Sequence, residues 1–575
     1  KTVMLYKKGS SDDVKSWRPI SLTPTLYRIV MGLVSNVVQE LNSHNPVLCN
    51  AQKGFIAGTN GCAEHIGVLN ELISHATRNR KDINIVTLDF ANAFGSVDHR
   101  QIVDSLKALG FPEPFCKWIK NLYKDNVTTI SVNGEFSQPI PMERGVRQGC
   151  PFSPFLFNVC LEPLLREILT NHKDDGYQVD DLSFNIQAFA DDVVLISHDP
   201  EQMQRMLDTV ESFCSVTGMK LTVSKCKWLS YVMREGRRVS SSNTLNVNGE
   251  SIKPIDITDS LKYLGAPIAT NRSSKMQSSS ELLIKVKHQI NQLLLSPLTL
   301  SQCLDAIRKL IIPQLDFIFM NGVVSKKEAK RLDENIRGLI QKKIKCPGLP
   351  VEIVHSHWSN GGMNIPRLEH RLDVLQIRSF LGLISSNDQR IRELIKINII
   401  DEVSKRNIAH SSENSFFGFC KSSPGATYSL KTNNSFIRAL QASDKLNVSI
   451  CLDDDNLNDI DSLDWISNMS AVNFKLSTSL TNDEKVVNAR NFLPTINKLF
   501  MDCYHSEMLK KEFRCHSFES LKGSKLSNFF IGNCKSPTSD NLVRFAFQAR
   551  SNSLLTEEVE NKRDSNLCNK CHACG

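Results

Sequence analysis

The stretch NIQAFADDVVLISHD, Asn185 to Asp199, decides how the first half of the chain is read. Two apolar runs rich in β-branched residues flank Ala190-Asp191-Asp192, a pattern that predicts the two strands of one hairpin. A tight turn ordinarily carries Asn-Gly or Asp-Gly, because those types tolerate positive φ. Here it carries two acids, and each raises the cost of ionising the other. Taken alone, the pair reads better as an ordinary exposed hairpin tip.

A second acid stands in a comparable place. In INIVTLDFANAFGSVDH, Ile83 to His99, Asp89 closes an apolar strand and precedes a helix start, so it also reads as a helix N-cap. Three carboxylates on adjacent strand ends would make a site for two divalent cations. Two such ions, about 3.5–4 Å apart, hold both the attacking and the leaving oxygen of an in-line phosphoryl displacement. A bound cation would make the Asp191–Asp192 pair tolerable. Between the acids lies ERGVRQGCPFSPFLFNVCLEPLL, Glu143 to Leu165: a polar, backbone-exposing turn that opens an apolar helix at Ser153-Pro154 and suits phosphate.

These motifs resemble a known family. DFANAF, RQGCPFSP and FADD, in that order, look like the palm of a reverse transcriptase, most closely those of non-LTR (LINE-type) retrotransposons in the class with a C-terminal restriction-like endonuclease. SWRPISL (Ser16–Leu22) resembles the opening fingers motif, GMKLTVSKCK (Gly218–Lys227) the segment after the catalytic hairpin, and LKYLGAPI (Leu261–Ile268) the hairpin that grips the primer end. SPLTLSQCLDAIRKLIIPQLDF and GGMNIPRLEHRLDVLQI resemble parts of the helical thumb region. The likeness is dense over residues 1 to about 395. Three positions depart from the usual pattern: Gly95 stands for Asp, Phe189 for Tyr and Ile56 for Arg.

The resemblance implies an α+β right-hand polymerase fold, with fingers and palm around an antiparallel catalytic sheet over 1–270 and a helical thumb over 271–400. It implies RNA-directed DNA polymerisation primed on nicked target DNA. Asp89, Asp191 and Asp192 would be catalytic and would bind two Mg²⁺. Phe90, Ala91, Phe94, Arg147, Gln148, Gly149, Pro151, Ser153 and Lys225 would line the nucleotide and template pocket. Phe94 would exclude a sugar 2′-hydroxyl, and it reads also as a plain core aromatic. Lys225 would meet departing pyrophosphate, and it reads also as a surface lysine. The partners would be an RNA template, a DNA primer or target, and dNTPs, with synthesis in the cytoplasm and work in the nucleus. The competing reading is a silent or domesticated remnant that binds RNA without polymerising.

The bulk numbers agree with a multidomain globular chain. It has 575 residues, 41% hydrophobic and 23% charged, and a net charge of +8. Seventeen cysteines without framework spacing suit free thiols in a reducing compartment rather than a disulfide scaffold. No apolar run is long enough to cross a bilayer. Lys326 to Lys345 concentrates eight basic residues at helical spacing, which suits a polyanion and equally a solvated helix face. Composition turns to Asn, Ser and Asp over 401–482, which predicts a poorly ordered linker, and helical patterning resumes over 483–575. Both ends read as cut. CNKCHACG at the end holds at most half of a four-ligand zinc site; its resemblance to the family segment that leads into a zinc knuckle implies Cys571 and Cys574 as Zn²⁺ ligands, with Cys568 and His572 as the competing pair. The endonuclease that would follow is absent from the sequence.

Overall fold

The computed structural model describes residues 1–7, 9–132, 134–235, 237–358, 362–406, 434–446, 448–452, 474–478, 481–487 and 491–509. Two compact units divide it, one from Lys1 to Asn271 and the other from Arg272 on. Helices and strands mix in both.

The first unit begins with β1 (Thr2–Tyr6), β2 (Trp17–Ser21), α1 (Thr25–His44), α2 (Gly61–Asn79) and β3 (Ile83–Leu88). It continues through α3 (Ala93–Ser96), α4 (His99–Ala108), α5 (Glu113–Tyr123), β4 (Val127–Thr128), β5 (Ile130–Val132), β6 (Glu135–Phe136) and β7 (Ile140–Pro141). Then come α6 (Ser153–Asn171), β8 (Tyr177–Val179), β9 (Leu182–Phe184), β10 (Ile186–Phe189), β11 (Asp192–Ser197), α7 (Pro200–Thr217) and β12 (Lys227–Arg234). Short strands finish it: β13 (Arg237–Val239), β14 (Leu245–Val247), β15 (Glu250–Ile252), β16 (Leu261–Tyr263) and β17 (Ala266–Ile268).

The principal sheet has the order β10-β11-β3-β12-β13 and is antiparallel throughout. Its middle strands are apolar on both faces: Ile85, Val86, Val193, Val194, Leu195 and Ile196 are all buried. Strands covered on both sides read as continuous apolar runs, which is why VVLI shows no alternation of apolar and polar residues. Trp228 of β12 is wholly buried, and its indole N–H donates to Asn84 Oδ1 at 3.1 Å, so the one polar atom of the ring is satisfied. α6 and α7 pack against this sheet. Asp199 caps α7 by accepting from the backbone N–H groups of Glu201 and Gln202, and Gly218 ends it in the left-handed region. A separate four-stranded sheet, β2-β1-β5-β6, carries the N-terminal hairpin.

The second unit is mainly helical: α8 (Arg272–Leu295), α9 (Leu300–Ala306), α10 (Ile312–Asn321), α11 (Lys326–Ile344), α12 (Val351–His355), α13 (Leu368–Ile384), α14 (Gln389–Arg406) and α15 (Ser435–Leu446). A π-helical turn, Ile307–Ile311, joins α9 to α10 just ahead of Pro313, whose missing N–H breaks the regular ladder. Asp333 of α11 accepts from the N–H groups of Leu368 and Glu369 and so caps α13 from a neighbouring helix. Burial nevertheless pushes its carboxyl up to about 7.

Two expectations are corrected. Part of 401–482 is ordered: α14 runs to Arg406, and α15 buries Phe436, Ile437 and Leu440, with Phe436 against Phe380 of α13 at 5.7 Å between ring centroids. The amphipathic SFIRALQASDKL was hidden inside an Asn- and Ser-rich average. The helical start near residue 483 is instead the last strand of an antiparallel sheet, β18 (Val448–Leu452), β19 (Phe474–Thr478) and β20 (Thr481–Val487). Helix returns only with α16 (Phe492–Leu509). The remainder of the linker, and Cys568, Cys571, His572 and Cys574, lie outside the described residues.

Leu195 tests the principal sheet. Leu195→Ala deletes a fully buried side chain between β10 and β3 and should cost about 2–5 kcal/mol. Chemical denaturation of the first unit should show a lower midpoint with an unchanged slope.

Candidate active site

Strand register brings the acids together. Phe189 pairs with Asp192, so β10 and β11 are joined by only Ala190 and Asp191. Val193 pairs with Leu88 across β11 and β3, which sets Asp192 beside the strand end that continues into Asp89. The two adjacent acids therefore differ in kind: Asp191 is a turn residue and Asp192 opens a strand. Ala190 takes φ 53°, a left-handed conformation that costs a non-glycine residue about 1–2 kcal/mol.

The charges crowd one another. Burial first, then the charge of Asp89, holds the Asp191 carboxyl above the usual range, and Arg18 and Lys7 work against that rise. Asp192 reaches solvent, yet the protein around it, together with Asp191 and Asp89, pushes it up to about 6. Lys225 Nζ lies 3.2 Å from Asp89 Oδ2. It is carried there by the turn Val223–Lys225, which is anchored where the Thr222 N–H donates to the Asp89 carbonyl at 2.8 Å. As the side chains lie, no three His, Cys, Asp or Glu among the described residues are gathered into a metal-binding group. In charge and donor type the acids fit a hard divalent cation, since three mutually repelling carboxylates are what such an ion relieves.

The loop between the acids docks by its backbone. Gly145 N–H donates to the Val97 carbonyl at 2.7 Å and Val146 N–H to the Phe94 carbonyl at 2.8 Å. A Cβ on Gly145 would sit 2.9 Å from the Gly95 Cα, so the glycine at 95 permits this close approach. Gly149, at φ 123°, abuts the Ser21 carbonyl, and the Ser21 N–H donates to the Gln148 carbonyl at 2.7 Å.

The expected pocket residues separate into groups. Asp89, Asp191, Asp192 and Lys225 converge. Phe94 is half-buried and stacks on Phe157, with 4.5 Å between centroids and 9° between planes. Ala91 and Gln148 are half-buried and Pro151 is exposed, whereas Ser153 is buried at the first position of α6. Two placements differ from expectation. Phe90 is a core side chain. The Arg147 guanidinium donates to Tyr27 Oη at 2.9 Å and to Asn126 Oδ1 and lies over the Tyr27 and Tyr123 rings, so its contacts are with the protein itself. Lys53, in the QKGF segment, is consumed by a buried pair with Glu64 at 2.5 Å. Sequence reasoning missed Lys7. Its only signal was a basic residue at the end of the strand that pairs with SWRPIS.

Residues 6–268 match the reverse transcriptase (RNA-dependent DNA polymerase) family. This unit is a reverse transcriptase domain. Among curated proteins it is similar to the Pol polyprotein of type-2 retrotransposable element R2DM of Drosophila melanogaster, 29% identical over 381 residues that make up 66% of this chain and 35% of that protein. It is also similar to the Pol polyprotein of the type-1 element R2 of Nasonia vitripennis, 27% identical over 399 residues, 69% of this chain and 38% of that one. Over these stretches the chain is similar to the Pol polyproteins of retrotransposable elements, and it spans a little over a third of the length of these two relatives. A telomerase from Candida tropicalis, solved with a TWJ fragment of telomeric RNA, aligns over 66% of this chain and 62% of its own at 12% identity and a TM-score of 0.31. A reverse transcriptase domain carries the right-hand polymerase fold, and the mixture of helix and strand agrees with it.

Crowding makes a pH signature. A carboxyl whose folded value is raised holds its proton more tightly in the fold than in the unfolded chain, so stability falls as pH rises from about 4 through about 6. Asp192→Asn removes the Asp192 share of this dependence and leaves that of Asp191. In metal-free buffer the variant should melt above the wild type at pH 7.5, with the gap closing toward pH 4.5, as followed by thermal denaturation.

Proposed function

We propose that this chain is an RNA-directed DNA polymerase that extends a DNA 3′-hydroxyl along an RNA template, primed on nicked target DNA in the nucleus. The observation that carries the reading is the convergence of Asp89, Asp191 and Asp192 at the ends of β3 and the β10–β11 hairpin. In it the principal sheet is the palm, the β1–β2 hairpin belongs to the fingers, and the helices of the second unit are the thumb.

Asp89, Asp191 and Asp192 would hold two Mg²⁺, which when bound lower the pKa of the attacking hydroxyl and offset charge on the leaving pyrophosphate. Arg18 and Lys7, the cations whose charge Asp191 feels, would bind the triphosphate of the incoming dNTP. Lys225 would leave Asp89 for the departing pyrophosphate and could give it a proton. Phe94, fixed by its stack on Phe157, would form a wall against a 2′-hydroxyl. On α11, Lys326 is paired with Asp373 at 2.5 Å, and Lys343 donates to the Ser296 and Leu298 carbonyls. The exposed Lys327, Lys330, Arg331 and Lys342 would meet duplex phosphates and make binding fall steeply with salt.

Primer extension on an RNA template with dNTPs and Mg²⁺ tests the reading. The wild type should extend the primer, while Asp191→Ala with Asp192→Ala should bind the RNA–DNA hybrid and extend nothing. A wild type that binds and never extends would favour an RNA-binding remnant. In the same assay Arg18→Ala should raise the dNTP KM about tenfold, the loss of one charge-assisted contact, with hybrid affinity unchanged.

A further inference from the structure

The segment Ala51–Gly54 lies outside every named strand, yet it runs alongside β10 like an added strand. Ala188 N–H donates to the Ala51 carbonyl at 2.8 Å, Lys53 N–H donates to the Ala188 carbonyl at 2.9 Å, and Gln52 forms a parallel bridge to Ala188. Where the backbone of this segment turns away, its side chain takes over. Gln52 Oε1 accepts from the Ala190 N–H at 2.8 Å and from the Gly54 N–H at 2.8 Å, and Nε2 donates to the Ala190 carbonyl at 3.4 Å. Two backbone donors on one atom require that atom to be the amide oxygen. The side chain is buried, 3% exposed.

Ala190 is the left-handed residue immediately before Asp191. In a two-residue turn closed by the Phe189–Asp192 pair, the strand ladder supplies no partner for its N–H. Gln52 supplies one, together with a partner for the carbonyl. Strained backbone of this kind persists only where its surroundings over-determine it. The clamp is itself braced: Asn158 of α6 donates to the Gly54 carbonyl at 2.8 Å, His65 of α2 contacts the Ala188 carbonyl at 3.0 Å, and a Cβ on Gly54 would collide with Ala190 N.

We propose that Gln52 is a positioning residue for the catalytic turn: its side-chain amide fixes the Ala190 peptide and thereby the place of the Asp191 carboxylate. The assignment rests on the polymerase reading for its effect on rate but not for the clamp itself. It touches neither substrate nor acid and acts through Ala190. Neither a carboxylate nor an apolar side chain of similar length can both accept and donate there.

Two measurements on the full chain separate the parts. Amide hydrogen exchange of the wild type should find Ala190 strongly protected although it sits at a turn tip, and exchange there at the rate of an open loop would overturn the clamp. In primer extension, Gln52→Leu should raise the Mg²⁺ concentration for half-activity about tenfold and lower kcat roughly 10- to 100-fold, as expected of a misplaced catalytic group. Its affinity for an RNA–DNA hybrid should stay close to wild type, and its melt should stay cooperative but shift down by several degrees, the cost of leaving the Ala190 and Gly54 N–H groups without their acceptor. A folded Gln52→Leu with a wild-type Mg²⁺ midpoint and kcat would overturn the positioning role. If that variant loses its cooperative melt, Gln52→Asn, whose amide stops one methylene short, serves the same titration. A wild type with a protected Ala190 and no polymerisation would refute the polymerase reading and leave the clamp standing.

Discussion

Repulsion among three carboxylates is the constraint around which the first unit is arranged. Asp89, Asp191 and Asp192 would separate if the backbone let them, and the antiparallel pairing of β3 between β11 and β12 does not. The ladder fixes the ends of the strands, the buried aliphatic middle of the sheet fixes the ladder, and α6 and α7 cover it. A group of carboxylates that resists its own charge is one whose repulsion a hard divalent cation would relieve.

Lys225 shows how the fold manages while that charge is unmatched. Its ammonium stands 3.2 Å from Asp89 and offsets one of the three charges, on a turn tied to Asp89 through the Thr222 N–H. Exposed pairs of this kind contribute little to stability, so the contact offsets charge without anchoring the fold.

The acids were legible in the sequence because each closes or opens an apolar run, and because turn chemistry made Asp191–Asp192 an anomaly that needed explaining. The antiparallel sheet and the following helices were legible for the same reason. What stayed hidden depended on partners distant along the chain. Arg147 sits in a motif that suggests phosphate, but Tyr27 and Asn126 claim its guanidinium, and neither position is marked in the sequence. Phe90 and Phe94, four residues apart, look alike on paper; only the packing makes one a core residue and the other a half-buried stack on Phe157. In the second unit, α15 was lost in a polar average because twelve amphipathic residues do not outweigh their surroundings. The capping boxes at Thr299–Gln302 and Ser325–Glu328 are, by contrast, local, and their spacing announces them.

The place of β3 at the middle of its sheet also governs how the chain can be made. Thr87 and its partner Lys227 are 140 residues apart, and β11 on the other side is nearly as distant. During synthesis β3 therefore emerges with both edges bare. At ordinary ribosomal speeds it waits roughly 7–28 s before β12 is available to cover the second one. An apolar strand with two open edges is a template for wrong pairing. The order of elements along the chain thus sets how long an apolar strand stays open to wrong pairing, and slower synthesis lengthens that interval.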